Sequence, residues 1–229
     1  MCKKILSYFR WYEYALWFGS MAAIVLSYAL FSGSGDPLSL IASLIGVTSL
    51  IFAARGNPAG PALMVVFSIL YGIISYSFRY YGEMATYLGM TMPMSACAVV
   101  TWIRNRYTGA EVRVNVLSRR ERVCMWLLAA VVTFVFYWIL RALGTANLIP
   151  STLSVTTSFL PVYLTLRRSP LYALGYAAND VVLIVLWVLA SMADRSYVSM
   201  VVCFLVFLLN DLYGFISWRA MAKRQKTGA

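Results

Sequence analysis

The sequence predicts an all-α membrane protein with about eight transmembrane helices, and three observations carry that expectation. Of its 229 residues 62% are hydrophobic and only 12% charged, with mean hydropathy +0.76. A soluble domain normally carries about twice that charged fraction. The apolar residues fall in blocks of roughly 20, the helical length that crosses a hydrocarbon core of ~30 Å. The basic residues sit in the gaps between those blocks. Membrane strands would alternate apolar and polar residues over about ten positions, and no such alternation is present.

The first span runs from Tyr14 to Phe31 and stops at Gly33, Ser34, Gly35, Asp36 and Pro37. Its apolar block has no small-residue cleavage site, so it reads as a retained helix rather than a signal peptide. The second, Leu38 to Ala54, ends at Arg55-Gly56-Asn57-Pro58; the third covers Pro61 to Phe78 and the fourth Met84 to Ile103. Between Arg104 and Arg122 lies an arginine-rich segment, the only loop long enough for an interfacial helix. The fifth span is Val123 to Leu143. The sixth, Ile149 to Leu166, is the weakest because Ser151, Thr152, Ser154, Thr156, Thr157 and Ser158 dilute it. The seventh is Leu171 to Met192 and the eighth Tyr197 to Trp218.

Charge tests this count. With eight crossings, one side receives Lys3, Lys4, Arg10, Arg55, the six arginines from Arg104 to Arg122, Arg167, Arg168, Arg219, Lys223, Arg224 and Lys226. The other receives Arg79, Arg141 and Arg195 alone. Cationic loops stay cytoplasmic, so both termini are expected there; seven crossings would set the basic tail against the basic N-terminus. The net charge of +11 thus reflects orientation rather than nucleic-acid binding. Cys2, Cys97, Cys124 and Cys203 are scattered and histidine is absent, so no disulfide framework or zinc site is expected, and the thiols read as buried and free.

A shift of 116 residues aligns Ser75 with Ser191, Arg79 with Arg195, Tyr81 with Tyr197, Met84 with Met200 and Trp102 with Trp218. Each half then holds three helices, and the fifth span joins them so that the second unit runs the same way as the first. That is a parallel repeat of 3+1+3 helices, an arrangement in which transporters place the substrate site at the repeat interface. The expected divisions are 1–37 (N-terminal tail and extra helix), 38–103 (first bundle), 104–148 (basic loop and linker helix) and 149–229 (second bundle and tail).

Ile69-Leu70-Tyr71-Gly72-Ile73-Ile74, Tyr81-Gly82-Glu83-Met84, Pro93-Met94, and Trp102 with Asn105 resemble the first half of the PnuC-type nicotinamide riboside transporters. Asn179, and the run Asn210-Asp211-Leu212-Tyr213-Gly214-Phe215-Ile216-Ser217-Trp218, are similar to features of that family's second half. The match covers roughly Leu38 to Trp218. It implies a bacterial inner-membrane carrier with a SWEET-like fold, a homotrimer without cofactor or metal. Such a carrier imports a nucleoside or vitamin precursor by facilitated diffusion, and a cytoplasmic kinase traps the product. Two positions depart from the pattern: Phe67 stands where an asparagine is expected, and Ser95 where glutamine or asparagine usually follows Pro-Met. Loss of two amides alters which ligand fits. Nicotinamide riboside is therefore the first expectation, and a deoxynucleoside, thiamine or riboflavin the alternative.

Polar side chains at bilayer depth cost a few kcal/mol and face the bundle interior or a cavity. Asn179 and Asn210 are expected substrate contacts, since an amide both donates and accepts; interhelical hydrogen bonding is the plainer role for the same residues. Asp180 could attract a cationic substrate or hold a proton in a coupled carrier, or it could simply pair with a hydroxyl. Asp211 lies nearer a helix end. Tyr71, Tyr213 and Trp187 could stack on a planar cation, worth ~0.5–2 kcal/mol, although such rings are more often core. Ser95 is retained for its place in the motif. Trp11, Trp17, Trp102 and Trp218 fit an interfacial belt. Pro93 and Pro161 are candidate flexing points. No glycine–lysine nucleotide loop is present, and an intramembrane enzyme would need a nucleophile, base or metal cluster that the chain does not offer.

Overall fold

The computed structural model describes residues 8–31, 37–145 and 147–228. Cys2, Lys3, Lys4 and the Gly33–Asp36 stretch of the first expected turn lie outside the described residues. Helices α1 (Trp11–Phe31), α2 (Pro37–Ala54) and α3 (Ala59–Ser77) follow the first three apolar blocks closely. The fourth is broken: α4 (Tyr81–Thr86) passes through a π-helical turn (Tyr87–Thr91) into α5 (Met92–Arg104). Pro93 follows that turn immediately, in the first turn of α5, where a missing N–H costs little. The basic loop holds a two-stranded antiparallel hairpin instead of an interfacial helix: Arg106–Thr108 pairs with Glu111–Val112. Gly109 turns it with φ of +58°, a conformation glycine adopts freely. Then come α6 (Arg119–Ala142), α7 (Leu148–Leu166), α8 (Tyr172–Ser191) and, after a 3₁₀ turn at Arg195–Tyr197, α9 (Val198–Thr227).

Six of these segments are long and apolar enough to cross a membrane on their own, among the described residues. The remaining two expected spans fall short for legible reasons. The π turn divides the fourth into pieces. In α7 the hydroxyls lower the hydropathy, but Ser151, Ser154 and Ser158 are all buried at helical spacing, so the polar stripe faces the interior. Outward faces are apolar throughout, as lipid contact requires: Leu127, Val131, Phe134 and Trp138 of α6 are all exposed. Cys97 and Cys124 share such surfaces, and among the described cysteines only Cys203 is a buried thiol.

In hydrocarbon, helices gain nothing by hiding apolar surface from one another, so close packing and interhelical hydrogen bonds hold the bundle. Small residues set the approach. A Cβ at Gly60 would lie 2.6 Å from the Ala53 nitrogen, which draws α3 onto α2; Gly175 lies similarly against Pro161, α8 on α7. Within the halves α2 packs on α3 and α7 on α8; between them α9 packs on α2 and α5 on α7. Helix α1 lies against α2 and α9, and α6 against α7.

Two indoles mark the cross-packing. Trp102 of α5 donates to the Thr165 carbonyl at the end of α7 (2.9 Å), and Trp218 of α9 donates to the Ala53 carbonyl at the end of α2 (2.8 Å). Their rings meet at 5.3 Å, and both side chains are fully buried. These tryptophans are therefore not belt residues: each adds a second donor to a last-turn carbonyl that already accepts a turn N–H, from Arg168 to Thr165 and from Gly56 to Ala53. Trp11 is 81% exposed and free to meet an interface, whereas Trp17 donates to Thr48 at 3.2 Å.

The ends of the bundle differ. At the basic end Gln225 of α9 bonds to the Val114 N–H and the Val112 carbonyl, and the Val112 N–H donates to Gly56, so the hairpin is sewn to both halves. At the opposite end Tyr80 donates to the Leu186 carbonyl at 3.4 Å, and Phe78 packs on Tyr197.

Candidate functional site

Helices α3, α4, α7, α8 and α9 converge on a buried zone of amides, carboxyls and aromatic rings midway along the bundle. Asn179 is 1% exposed, and its Oδ1 accepts from Thr157 and Ser158 of α7 at 2.9 Å each. Both bonds use the carbonyl oxygen, which leaves the amide donors for another group. The next residue, Asp180, lies within electrostatic reach of Asp211 of α9, and Asp180 Oδ2 has no partner among the described residues. Asp211 does not sit near a helix end, because α9 continues to Thr227. Asn210 donates to Ser20 of α1 and to the Val206 carbonyl, both at 2.9 Å, and its Oδ1 is unpartnered.

Tyr71 and Trp187 do meet. The indole N–H donates to the phenol oxygen at 3.0 Å, and the two residues stand 116 apart, the spacing of the repeat. Tyr71 also contacts Tyr87 (ring centroids 4.5 Å), stacks on Phe67 (5.4 Å, 17°) and meets Phe204 edge-on. Phe67 thus replaces an expected amide with a ring in the centre of the aromatic cluster. Ser95 is 2% exposed on α5, beside the Met94 that packs against the small cluster of Met90, Ala129 and Phe159.

Tyr213 is placed apart from this zone. Its hydroxyl bonds to Glu13 at the basic end, where Arg55 Nε lies 3.5 Å from the same carboxyl and the Arg10 N–H donates at 2.6 Å. These groups line a cavity of about 460 Å³ with Tyr12, Glu111 and Arg224. Glu13 is only 1% exposed, yet it falls one residue outside the first expected span.

Glu83 escaped sequence reading for the same reason, since the fourth span was drawn from Met84. It is fully buried, it accepts from Ser154, and its Oε2 is unpartnered. An acid bordering an apolar block within the Tyr81-Gly82-Glu83 motif was the available signal. The described ion pairs, Arg55–Glu13, Arg167–Glu121 and Arg224–Glu111, all lie at the basic end. None reaches Glu83, Asp180 or Asp211. No three His, Cys, Asp or Glu side chains among the described residues are placed to hold a metal ion.

The chain is similar in sequence and in fold to known proteins. The chain is 25% identical over 194 residues to the nicotinamide riboside transporter PnuC of Neisseria mucosa, covering 82% of this chain and 73% of that one. It is 22% identical over 190 residues to the Haemophilus influenzae protein of the same name, covering 82% and 81%. A crystal structure of the vitamin B3 transporter PnuC superposes with a TM-score of 0.83 over 94% of both chains at 21% identity, which establishes the fold. Residues 36–220 match the family model described as nicotinamide mononucleotide transporter. A multi-pass helical bundle with a buried polar and aromatic centre is what such a carrier requires, and the chain belongs to the nicotinamide mononucleotide transporter family.

Proposed function

We propose that this protein imports nicotinamide riboside across the bacterial inner membrane by facilitated diffusion, exposing one central site alternately to each face and doing no chemistry on its substrate. The observation that carries the reading is the buried zone itself: amide donors on Asn179, unpartnered oxygens on Asp180 and Asn210, and the bonded Tyr71–Trp187 pair, all between two groups of helices. Asn179 and Asn210 would hydrogen-bond the ligand, Asp180 would face its charge, and Tyr71 and Trp187 would stack on its ring. Ser95 lines the approach, and Tyr213 with the basic-end cavity lies on the exit.

The reciprocal tryptophan bonds and the cross-packing of α2 on α9 and α5 on α7 support a 3+1+3 parallel repeat of SWEET-like type. In it 38–103 and 149–229 are the bundles, 104–148 carries the linker, and 1–37 is added outside. All eight apolar segments then cross, and the basic end with both termini is cytoplasmic. The π turn before Pro93, and Pro161 inside α7, are the proposed flexing points. A homotrimer and a cytoplasmic trapping kinase complete the proposal.

Phe67 favours a second reading. A ring stacked on Tyr71 where an amide is expected leaves fewer hydrogen-bonding groups, which suits a different nucleoside or a B vitamin such as thiamine or riboflavin. Proton coupling through Asp180 belongs to that reading, and uptake that persists after the pH gradient is collapsed would exclude it. The test is calorimetric titration of the purified, detergent-solubilised protein with nicotinamide riboside, thiamine, riboflavin and a deoxynucleoside, repeated with Asn179→Ala. Saturable binding of nicotinamide riboside, weakened by the substitution, is expected. Silence toward it with binding of another compound would move the substrate and keep the carrier.

A further inference from the structure

Glu83 is buried where a carboxyl has no structural comfort. Helix α4 begins after Arg79, whose φ of +58° turns the chain at the opposite end. Gly82 then lets the helix close on α7, since a Cβ there would lie 3.2 Å from the Ser151 Cβ. That approach seats Glu83 against Ser154, which bonds one carboxyl oxygen. The other oxygen is buried and unpartnered, and the hydroxyls of Thr86, Thr91 and Ser75 are unpartnered too. Rings complete the surroundings: Tyr71, Tyr80 and Tyr87 all lie within electrostatic reach of Glu83, and Tyr87 is within reach of Asp180 as well.

An unpaired carboxyl among aromatic rings is costly, because burial removes water and ring faces repel an anion. The same surroundings suit an organic cation, which gains from the charge and from the ring faces together. Arg79 is exposed at the turn, and no described ion pair reaches Glu83.

We propose that Glu83 is a substrate-contacting residue, a second counter-charge beside Asp180 for the cationic ring of the incoming ligand, and that it makes the carrier select cationic over uncharged nucleosides. The proposal rests on the reading of the chain as a nicotinamide riboside carrier, since that ligand's pyridinium is a fixed cation. The 1,4-dihydro form has nearly the same outline and no charge.

The experiment is titration of the detergent-solubilised full chain and of Glu83→Gln with both forms. Wild type should prefer the cation about tenfold or more, the size expected for interactions with a charged group. Glu83→Gln should weaken binding of the cation by that factor and leave the dihydro form within about twofold. A purely structural Glu83 would weaken both forms equally, and an unchanged ratio overturns the proposal. Equal affinity of wild type for the two forms overturns it whatever the variant does. Wild type that binds neither form defeats the substrate reading itself, whereas tight wild-type binding with an unaffected variant defeats only the role of Glu83.

Discussion

Replacing Asn179 with alanine removes an acceptor that two hydroxyls share, and the two lose unequal amounts. Thr157 donates to Asn179 but also reaches the carbonyls of Leu153 and Ser154 at 3.1 Å each, so it keeps partners. Ser158 donates to Asn179 at 2.9 Å and is 2% exposed, so its hydroxyl is the group left stranded. A buried donor orphaned in a soluble core costs ~1–3 kcal/mol, whereas interhelical bonds in membranes average ~0.6 and reach ~1.7 kcal/mol. The coupling between Asn179→Ala and Ser158→Ala should therefore be about 0.6–1.7 kcal/mol. With Thr157→Ala it should lie within about 0.3–0.5 kcal/mol of zero. Reversible unfolding in mixed micelles, run as two double-mutant cycles, measures both. Ligand titration on the same proteins separates packing from contact: affinity should fall about tenfold in every Asn179→Ala background, the double variants included. Equal couplings would refute the hydrogen-bond assignment. Recovery of affinity when Ser158→Ala is added would refute direct contact by the amide.

Three further outcomes are expected. Trp102→Phe and Trp218→Phe should each destabilise the fold by about 0.5–1.5 kcal/mol, the worth of one buried bond, read by thermal unfolding in detergent. Gly60→Ala should cost ~1–3 kcal/mol because its Cβ meets Ala53 backbone, whereas Gly19→Ala, with nothing within 4 Å, should be neutral or gain up to ~1 kcal/mol. Asp194 accepts from the Ser196 N–H at 2.8 Å, which holds its carboxyl below the ordinary value of 3.8. A depressed carboxyl contributes above its unfolded value and loses that contribution as pH falls through the folded one. Protection of the Ser196 amide against exchange should therefore drop below about pH 4, and Asp194→Asn should abolish that dependence.

Long apolar blocks made the helices legible, because their length is set by the bilayer and survives errors of a few residues at each end. What was not legible depended on partners distant in sequence. Trp102 and Trp218 sit at block ends like belt residues, and the carbonyls of Thr165 and Ala53, on helices far away in sequence, draw them inward. The hairpin at Arg106–Val112, in the loop with room for an interfacial helix, is held by Gln225, more than a hundred residues away. Asn179, Asp180 and Asn210 stood out as polar groups inside apolar runs, and all three are buried. Glu13 and Glu83 did not, because each borders a run by one residue and is buried only once neighbouring helices close over it. The π turn at Tyr87–Thr91 has no composition signal of its own.

The bond from Asn210 to Ser20 ties the central zone to α1, which the proposed repeat leaves outside both bundles. Position 94, 116 residues before Asn210, carries a methionine that packs against the small cluster of Met90, Ala129 and Phe159. The proposed repeat therefore sets an amide in one half against a methionine in the other. In the proposed site a ligand with a ring at one end and a sugar at the other would meet a polarised berth and enter it in a single orientation, so the same end would lead on every passage through the membrane.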